Sequence, residues 1–401
     1  MQLPPSIDKI RVFLRHLLKL DVHGMRRLIR LNTLFHEDKI VWNFSNLDQL
    51  FSIVKLNMPS GDVSAFPVAP KDIPQSYDVE GQTKTLSDHF KDRNVKSFLV
   101  FKDRTLIHET YLQNVRPSDP HISWSMSKSV MSILLGVLID RGDIPIEALE
   151  YKVSDHVPSL KGTGYDGVTL LNVLNMASGV AFNEDYMDYH SDINKLGRVI
   201  GVGGSLDAFA AGLDRKWAPG TYNHYVSVDT HVIGMMIRAL TGQPMVDLLN
   251  RHVIEPMGFE HPGFFLSDDF GEPFVLGGLN ISSRDFGRLG LMMLNNGYWN
   301  GRQIVSEDWV ARSTAQSAPP PAPEDISDKP LGYGYQWWIP PDPMEGEFNA
   351  LGIYGQYIYI NRPLDVVIVQ NAADTKFREG DGIITTETLA LFRAIAQAVA
   401  V

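Results

Sequence analysis

The stretch Ser123-Trp124-Ser125-Met126-Ser127-Lys128-Ser129-Val130-Met131 decides how the rest of the chain reads. Beyond it, Met126, Val130, Ile133, Leu134, Val137 and Leu138 recur at helical spacing and Gly142 ends the run, so Ser125 opens an apolar helix. Lys128 lies one turn on, which places both side chains on one face. A serine hydroxyl is a weak nucleophile and needs a base beside it. Lysine serves as that base only when desolvation or neighbouring positive charge lowers its pKa by several units from about 10.4. The helix N-terminus adds partial positive charge, which favours an attacking serine and a developing oxyanion. Taken alone, the pattern is equally that of a serine capping a helix with a solvated lysine in its first turn. Ser127 is a rival nucleophile, but it adjoins Lys128 in sequence and so points away from it.

Upstream, Val95–Phe101, a turn at Lys102-Asp103-Arg104, and Thr105–Tyr111 read as a β-hairpin. Downstream, residues 150–270 alternate short helical runs with Gly- and Asp-rich loops. Helix returns over about 281–316, and apolar strands follow at Gly334–Ile339, Gln356–Ile360 and Val366–Asn371, with a closing helix Thr385–Ala400. Strands at both ends with helices between predict an α/β or α+β architecture, an antiparallel sheet flanked by helices with an inserted all-helical lobe. The expected division is 1–85 as a helical and extended elaboration, 85–150 plus 270–401 as the catalytic body, and 150–270 as the lobe.

The chain has 401 residues, 44% hydrophobic and 21% charged, which suits a globular protein with a large core. Its net charge of -11 repels phosphate backbones, so nucleic acid is not an expected partner. The absence of cysteine excludes a thiol nucleophile, a disulfide framework and Cys-ligated metal. No apolar run reaches the length of a membrane span. The opening apolar run is broken by Arg11, Arg15 and Lys19 and lacks a small-residue cleavage site, so no signal peptide is read and a cytoplasmic location is expected. Residues 1–40 are locally basic and helical, which fits docking on the body or on a second subunit, hence a homodimer, better than a membrane surface.

Two further segments carry chemistry. In Tyr222-Asn223-His224-Tyr225-Val226-Ser227, Tyr225 stands two residues before a serine and just ahead of a helical run from Val228 to Leu240. Tyr225 is placed to pass a proton between serine and leaving group, with Lys128 holding its pKa down. Gly352-Ile353-Tyr354-Gly355-Gln356 leads into a strand, and its glycines allow backbone to approach a ligand. The run Val168–Gly179 reads as a helix ending at Gly179. Tyr333, Tyr335, Trp337 and Trp338 either line an acyl pocket or pack in the core. No Gly-x-Ser-x-Gly elbow or His-Glu-x-x-His occurs, and Gly201-Val202-Gly203-Gly204-Ser205 lacks the strand and the Gly-Lys that a phosphate loop needs.

Over about residues 85–401 the chain resembles the serine β-lactamase and penicillin-binding-protein superfamily. Within it, the chain is similar to family VIII carboxylesterases and the 6-aminohexanoate-dimer (nylon oligomer) hydrolases. Ser125-Met126-Ser127-Lys128 resembles the nucleophile box, Tyr225-Val226-Ser227 the tyrosine box and Gly352–Gln356 the third box. Leu174–Gly179 and Gly277–Gly290 add to the likeness. The resemblance implies Ser125 as nucleophile, Lys128 as its base, Tyr225 as proton-transfer partner, and the N–H groups of Ser125 and Ile353 as oxyanion hole. Ser227, Gly352, Tyr354 and Gly355 are implied at the substrate. Asn183-Glu184-Asp185-Tyr186 resembles a mobile loop whose tyrosine contacts the amide, which implies Tyr186 as a substrate-binding residue.

Two departures narrow the activity. The tyrosine box ends in Ser227 rather than Asn, and Ile353-Tyr354-Gly355 replaces Lys-Thr-Gly, removing the cation that would hold a β-lactam or peptidoglycan carboxylate. The expected protein is a cofactor-free, metal-free serine hydrolase of esters with small acyl groups. Amidase action on small linear amides, β-lactamase or D,D-peptidase activity, and a catalytically silent binding protein stand as alternatives.

Overall fold

Phe98–Phe101 reads as an unbroken apolar run because both faces of its strand are covered. The structure, a computed structural model, describes residues 22–57, 63–327, 330–377 and 386–400. The basic stretch up to Asp21 and the Pro-rich Met58–Gly61 lie outside the described residues. Seven strands form the main sheet: β1 (Val95–Lys102), β2 (Thr105–Tyr111), β3 (Gly332–Gly334), β4 (Trp337–Ile339), β5 (Glu347–Gly352), β6 (Gln356–Asn361) and β7 (Val366–Ala372). Their order is β3-β4-β5-β6-β7-β1-β2 and every pairing is antiparallel. Asp103 and Arg104 both have left-handed backbone angles, the conformation of a two-residue hairpin turn whose twist matches its strands.

Six helices matter for the site: α1 (Val22–Thr33), α2 (Met126–Asp140), α3 (Asp192–Val202), α4 (Ser227–Thr241), α5 (Ser283–Leu294) and α6 (Thr386–Val399). Phe98 and Val100 of β1 pack in one core with Phe392 and Ile395 of α6. Leu99 and Phe101, on the opposite face, join the core that holds Phe286 and Leu289 of α5. The α2 helix is buried around its whole circumference, Met126 through Leu138 without exception, which makes it a core helix crossing β5 and β6. The architecture is thus an antiparallel sheet flanked by helices, with helical segments between its two groups of strands.

Several local readings change. Gly334–Ile339 is not one strand: Tyr335 and Gln336 turn the chain between β3 and β4. The β5 strand escaped notice because Glu347-Phe348-Asn349 looks polar, yet Glu347 is buried and paired with Arg393 at 2.7 Å. The helix read over Val168–Gly179 spans Leu170–Leu174 alone, since Met176 adopts a left-handed conformation. The 281–316 region is α5 plus a separate helix, Glu307–Ser313.

A second, four-stranded antiparallel sheet joins Ile53–Lys55, Phe264–Leu266, Leu279–Ile281 and His121–Ile122, in that order. It anchors the N-terminal segment and suspends His121-Ile122 just ahead of Ser123. The α1 helix lies against α3 so closely that a Cβ on Gly201 would fall 2.7 Å from Leu31 Cδ2. Arg27 clamps the same contact by pairing with Asp269, Nη2 to Oδ2 at 2.9 Å. Among the described residues, no single helix is long and apolar enough to cross a membrane.

Candidate active site

Ser125 immediately precedes α2 with helical angles (φ -65°, ψ -9°), and its hydroxyl does not cap the helix. Lys128 Nζ instead reaches Ser125 Oγ at 2.9 Å and donates to Leu276 O at 2.7 Å. Lys128 is 1% exposed, so the solvated first-turn lysine of the bland reading is not what forms. Burial lowers its ammonium pKa to about 7, while the charge of Glu184 pulls the other way. A substantial share of the amine is therefore neutral at neutral pH. Ser127 points elsewhere and donates to Val275 O.

Trp124, the residue before the serine, has φ 41°. Such a backbone costs a non-glycine residue roughly 1–3 kcal/mol and persists where its surroundings fix it. Here Phe44, Phe35 and Tyr354 hold the indole, with ring centroids at 5.5, 5.9 and 6.0 Å. Two of those three rings come from the N-terminal segment.

The third-box glycine answers a steric demand. A Cβ on Gly352 would fall 2.3 Å from Ser123 O, so only glycine lets the end of β5 lie against the nucleophile loop. That approach brings Ile353 and Ser125 to one cavity. No protein acceptor takes the N–H of either residue among the described residues. Gly355 turns the chain with φ 82° and returns it into β6, while Tyr354 stacks on Phe35 at 5.0 Å.

The Tyr225 ring centroid lies 5.2 Å from Lys128 Nζ, and the phenol hydrogen-bonds with Ser125. Trp338 stacks on the ring at 5.2 Å and Tyr333 meets it edge-on. The expectation that Lys128 holds the Tyr225 pKa down is corrected. Burial and the negative charge of Glu184 push the phenol well above its ordinary value, against the smaller opposite effect of Ser125. Tyr225 is a neutral donor, and the titrating group near neutrality is Lys128.

Glu184 is the residue the sequence reading passed over. It accepts from Ser227 Oγ at 2.6 Å, from Ser227 N at 3.2 Å and from Tyr186 Oη at 2.6 Å. One carboxylate thereby ties the loop to the start of α4. Asn194 of α3 secures the loop from the other side by donating to Tyr186 O and Asp188 O. Glu184 stood inside the quoted Asn183–Tyr186 motif, but nothing in sequence links it to Ser227.

Ser125, Ile353, Tyr354, Tyr186 and Ser227 all line one cavity of about 580 Å³. Leu31, Leu34, Phe35 and Phe51 of the N-terminal segment form one of its walls, and Leu266, Phe274 and Leu276 add apolar surface. The four aromatics Tyr333, Tyr335, Trp337 and Trp338 do not line it. Trp337 packs on Phe348, Tyr335 on Trp309, and the other two brace Tyr225.

The chain is 28% identical over 366 residues to a 6-aminohexanoate-dimer hydrolase of Paenarthrobacter ureafaciens, covering 88% of this chain and 91% of that one. A solved structure from Bacillus anthracis, described as a 6-aminohexanoate-dimer hydrolase, superposes with a TM-score of 0.77 at 21% identity, over 92% of this chain and 95% of that one. EstCE1, a hydrolase with promiscuous acyltransferase activity, superposes with a TM-score of 0.57 at 15% identity, over 77% and 96%. The beta-lactamase family model matches residues 88–382. The match spans well over half of the sequence, including both the nucleophile loop and the third-box strand, and the chain belongs to the beta-lactamase family.

Proposed function

We propose that this member of the beta-lactamase family is a serine hydrolase that acts through an acyl-enzyme on carboxylic esters of small acyl groups. The observation that carries the reading is the 2.9 Å contact between Ser125 Oγ and an almost fully buried Lys128 amine. A desolvated, neutral amine takes the serine proton as Oγ attacks the carbonyl carbon. The N–H groups of Ser125 and Ile353 receive the developing oxyanion; one such donor is worth roughly 3–4 kcal/mol in this kind of chemistry. Tyr225, kept protonated by its surroundings, gives its proton to the leaving group and regains one from the Lys128 ammonium. Water then attacks the acyl-enzyme along the same route in reverse.

Hydrolysis of small linear amides is the second reading, favoured by the identity to a 6-aminohexanoate-dimer hydrolase along nearly its whole length. The absence of a lysine in Ile353-Tyr354-Gly355 weighs against β-lactam and D,D-peptide substrates, and the intact Ser125–Lys128 contact weighs against a silent binding protein. The test is turnover of a short-chain p-nitrophenyl ester and of a small linear amide by the wild type and by Ser125→Ala. Loss of the nucleophile is expected to lower kcat by about 10⁴–10⁶-fold. Equal activity in the two proteins refutes the assignment of Ser125, and the ester-to-amide ratio chooses between the two readings.

A further inference from the structure

Arg198 also lines the cavity, and among the described residues it pairs with no acid. It projects from the same face of α3 as Ile193, Asn194 and Gly197, half-buried. One of its five N–H donors is used, Nη1 to Tyr189 O at 2.9 Å, and the guanidinium lies 4.4 Å from the Tyr189 ring centroid. Six other buried or half-buried arginines, Arg27, Arg93, Arg238, Arg284, Arg288 and Arg393, each pair with a carboxylate, while Arg362, held by Met293 O and the Phe348 ring, lies outside the cavity. Among the described residues Arg198 makes no ion pair, and no Asp or Glu lines the cavity. In a chain of net charge -11, a cation left without a described acid at the wall of a mainly apolar pocket is conspicuous. Partial desolvation of a guanidinium is costly unless an anion repays it, and its planar fork matches a carboxylate in bidentate fashion.

We propose that Arg198 is a specificity-determining residue that receives the carboxylate of a substrate whose apolar chain carries the scissile ester or amide at one point and a free acid at its end. This rests on the hydrolase reading above. It places the anion site on α3, opposite in chain position from the third box, where the lysine is missing. The apolar wall from Leu31, Leu34 and Phe51 then serves the methylene chain between the two polar ends.

The test uses two substrate pairs that differ in charge alone at the far end. Monomethyl adipate is compared with its carboxamide analogue, and 4-acetoxybutanoate with 4-acetoxybutanamide. For at least one pair the wild type is expected to favour the acid by about 10- to 100-fold in kcat/KM, mainly through KM, the range of a charge-assisted bidentate contact. Arg198→Gln is expected to bring that ratio close to 1, and Arg198→Lys to keep part of it. An arginine that merely braces Tyr189 would lower both members of a pair together and leave the ratio intact, which refutes the proposal. So does a wild type that cleaves all four esters without preference; that result leaves the hydrolase reading standing. If no ester is cleaved, the ester reading fails, and calorimetric binding of each pair to Ser125→Ala, with and without Arg198→Gln, still decides the role of Arg198: equal binding of acid and amide overturns it.

Discussion

Replacing Lys128 by methionine should abolish turnover and, at the same time, make the protein more stable below neutral pH. The unfolded chain holds the lysine proton up to its ordinary pKa of 10.5, whereas the folded chain holds it only up to about 7. The folded state is therefore penalised in full below pH 7, and the penalty fades as pH rises from 7 to 10.5. At about 1.4 kcal/mol per unit, this shift amounts to about 5 kcal/mol. Methionine fills a similar volume without the charge. It also leaves Leu276 O without its donor, a loss of roughly 1–3 kcal/mol that does not depend on pH. The net gain expected at pH 6 is thus about 2–4 kcal/mol. The sharper quantity is the change in the difference between variant and wild type, about 4 kcal/mol between pH 6 and pH 10, because the lost hydrogen bond cancels. Urea unfolding of both proteins at the two pH values measures it, with the m-values checked for equality. A difference that stays flat to within about 1 kcal/mol would mean that the amine titrates as it does in water. It would then be too basic to take a proton from Ser125 at neutral pH.

Two further outcomes follow from the same geometry. Glu184→Gln removes the negative charge that raises the Lys128 pKa, so the acidic limb of the rate profile, centred near 7 in the wild type, should move down by about half a unit to one unit; a limb that moves up refutes the assignment of that limb to Lys128. Gly352→Ala puts a methyl group 2.3 Å from Ser123 O, so β5 must shift and carry Ile353 N away; kcat should fall by about 10²–10³-fold, the loss of one oxyanion donor, and an unchanged kcat in a folded variant removes Ile353 from the oxyanion hole.

The Ser125–Lys128 contact, the place of Tyr225 beside it and the close approach of the third box were legible because they are written in short local spacings. The β1–β2 hairpin and α2 were legible for a similar reason: period-2 and period-3.6 patterns survive where a whole element is buried. What escaped was built from distant parts. Glu184 acts only because the fold brings its carboxylate to Ser227, forty-three residues on. Arg198 reads as an ordinary surface arginine of an amphipathic helix until the cavity shows which side it faces. The β5 strand hides behind Glu347, whose burial is bought by Arg393 and by the Tyr359 hydroxyl. The pKa order of Lys128 and Tyr225 was misread because desolvation acts on both, lowering a cation and raising a phenol.

The placement of the N-terminal segment has a consequence for how the protein is made. Residues of this segment are synthesised well before their anchors: Arg27 waits for Asp269, 242 positions on, and Phe35 waits for Tyr354. Contacts across such separations close last, since loop entropy opposes them until the intervening chain is ordered. Until they close, Trp124 lacks two of the three rings that hold its strained backbone, and the cavity lacks a wall. A nascent or truncated chain can carry Ser125 and Lys128 and still have no competent site. On the proposed function, activity would require Phe35 and Phe44 to have docked beside Trp124 and Tyr354.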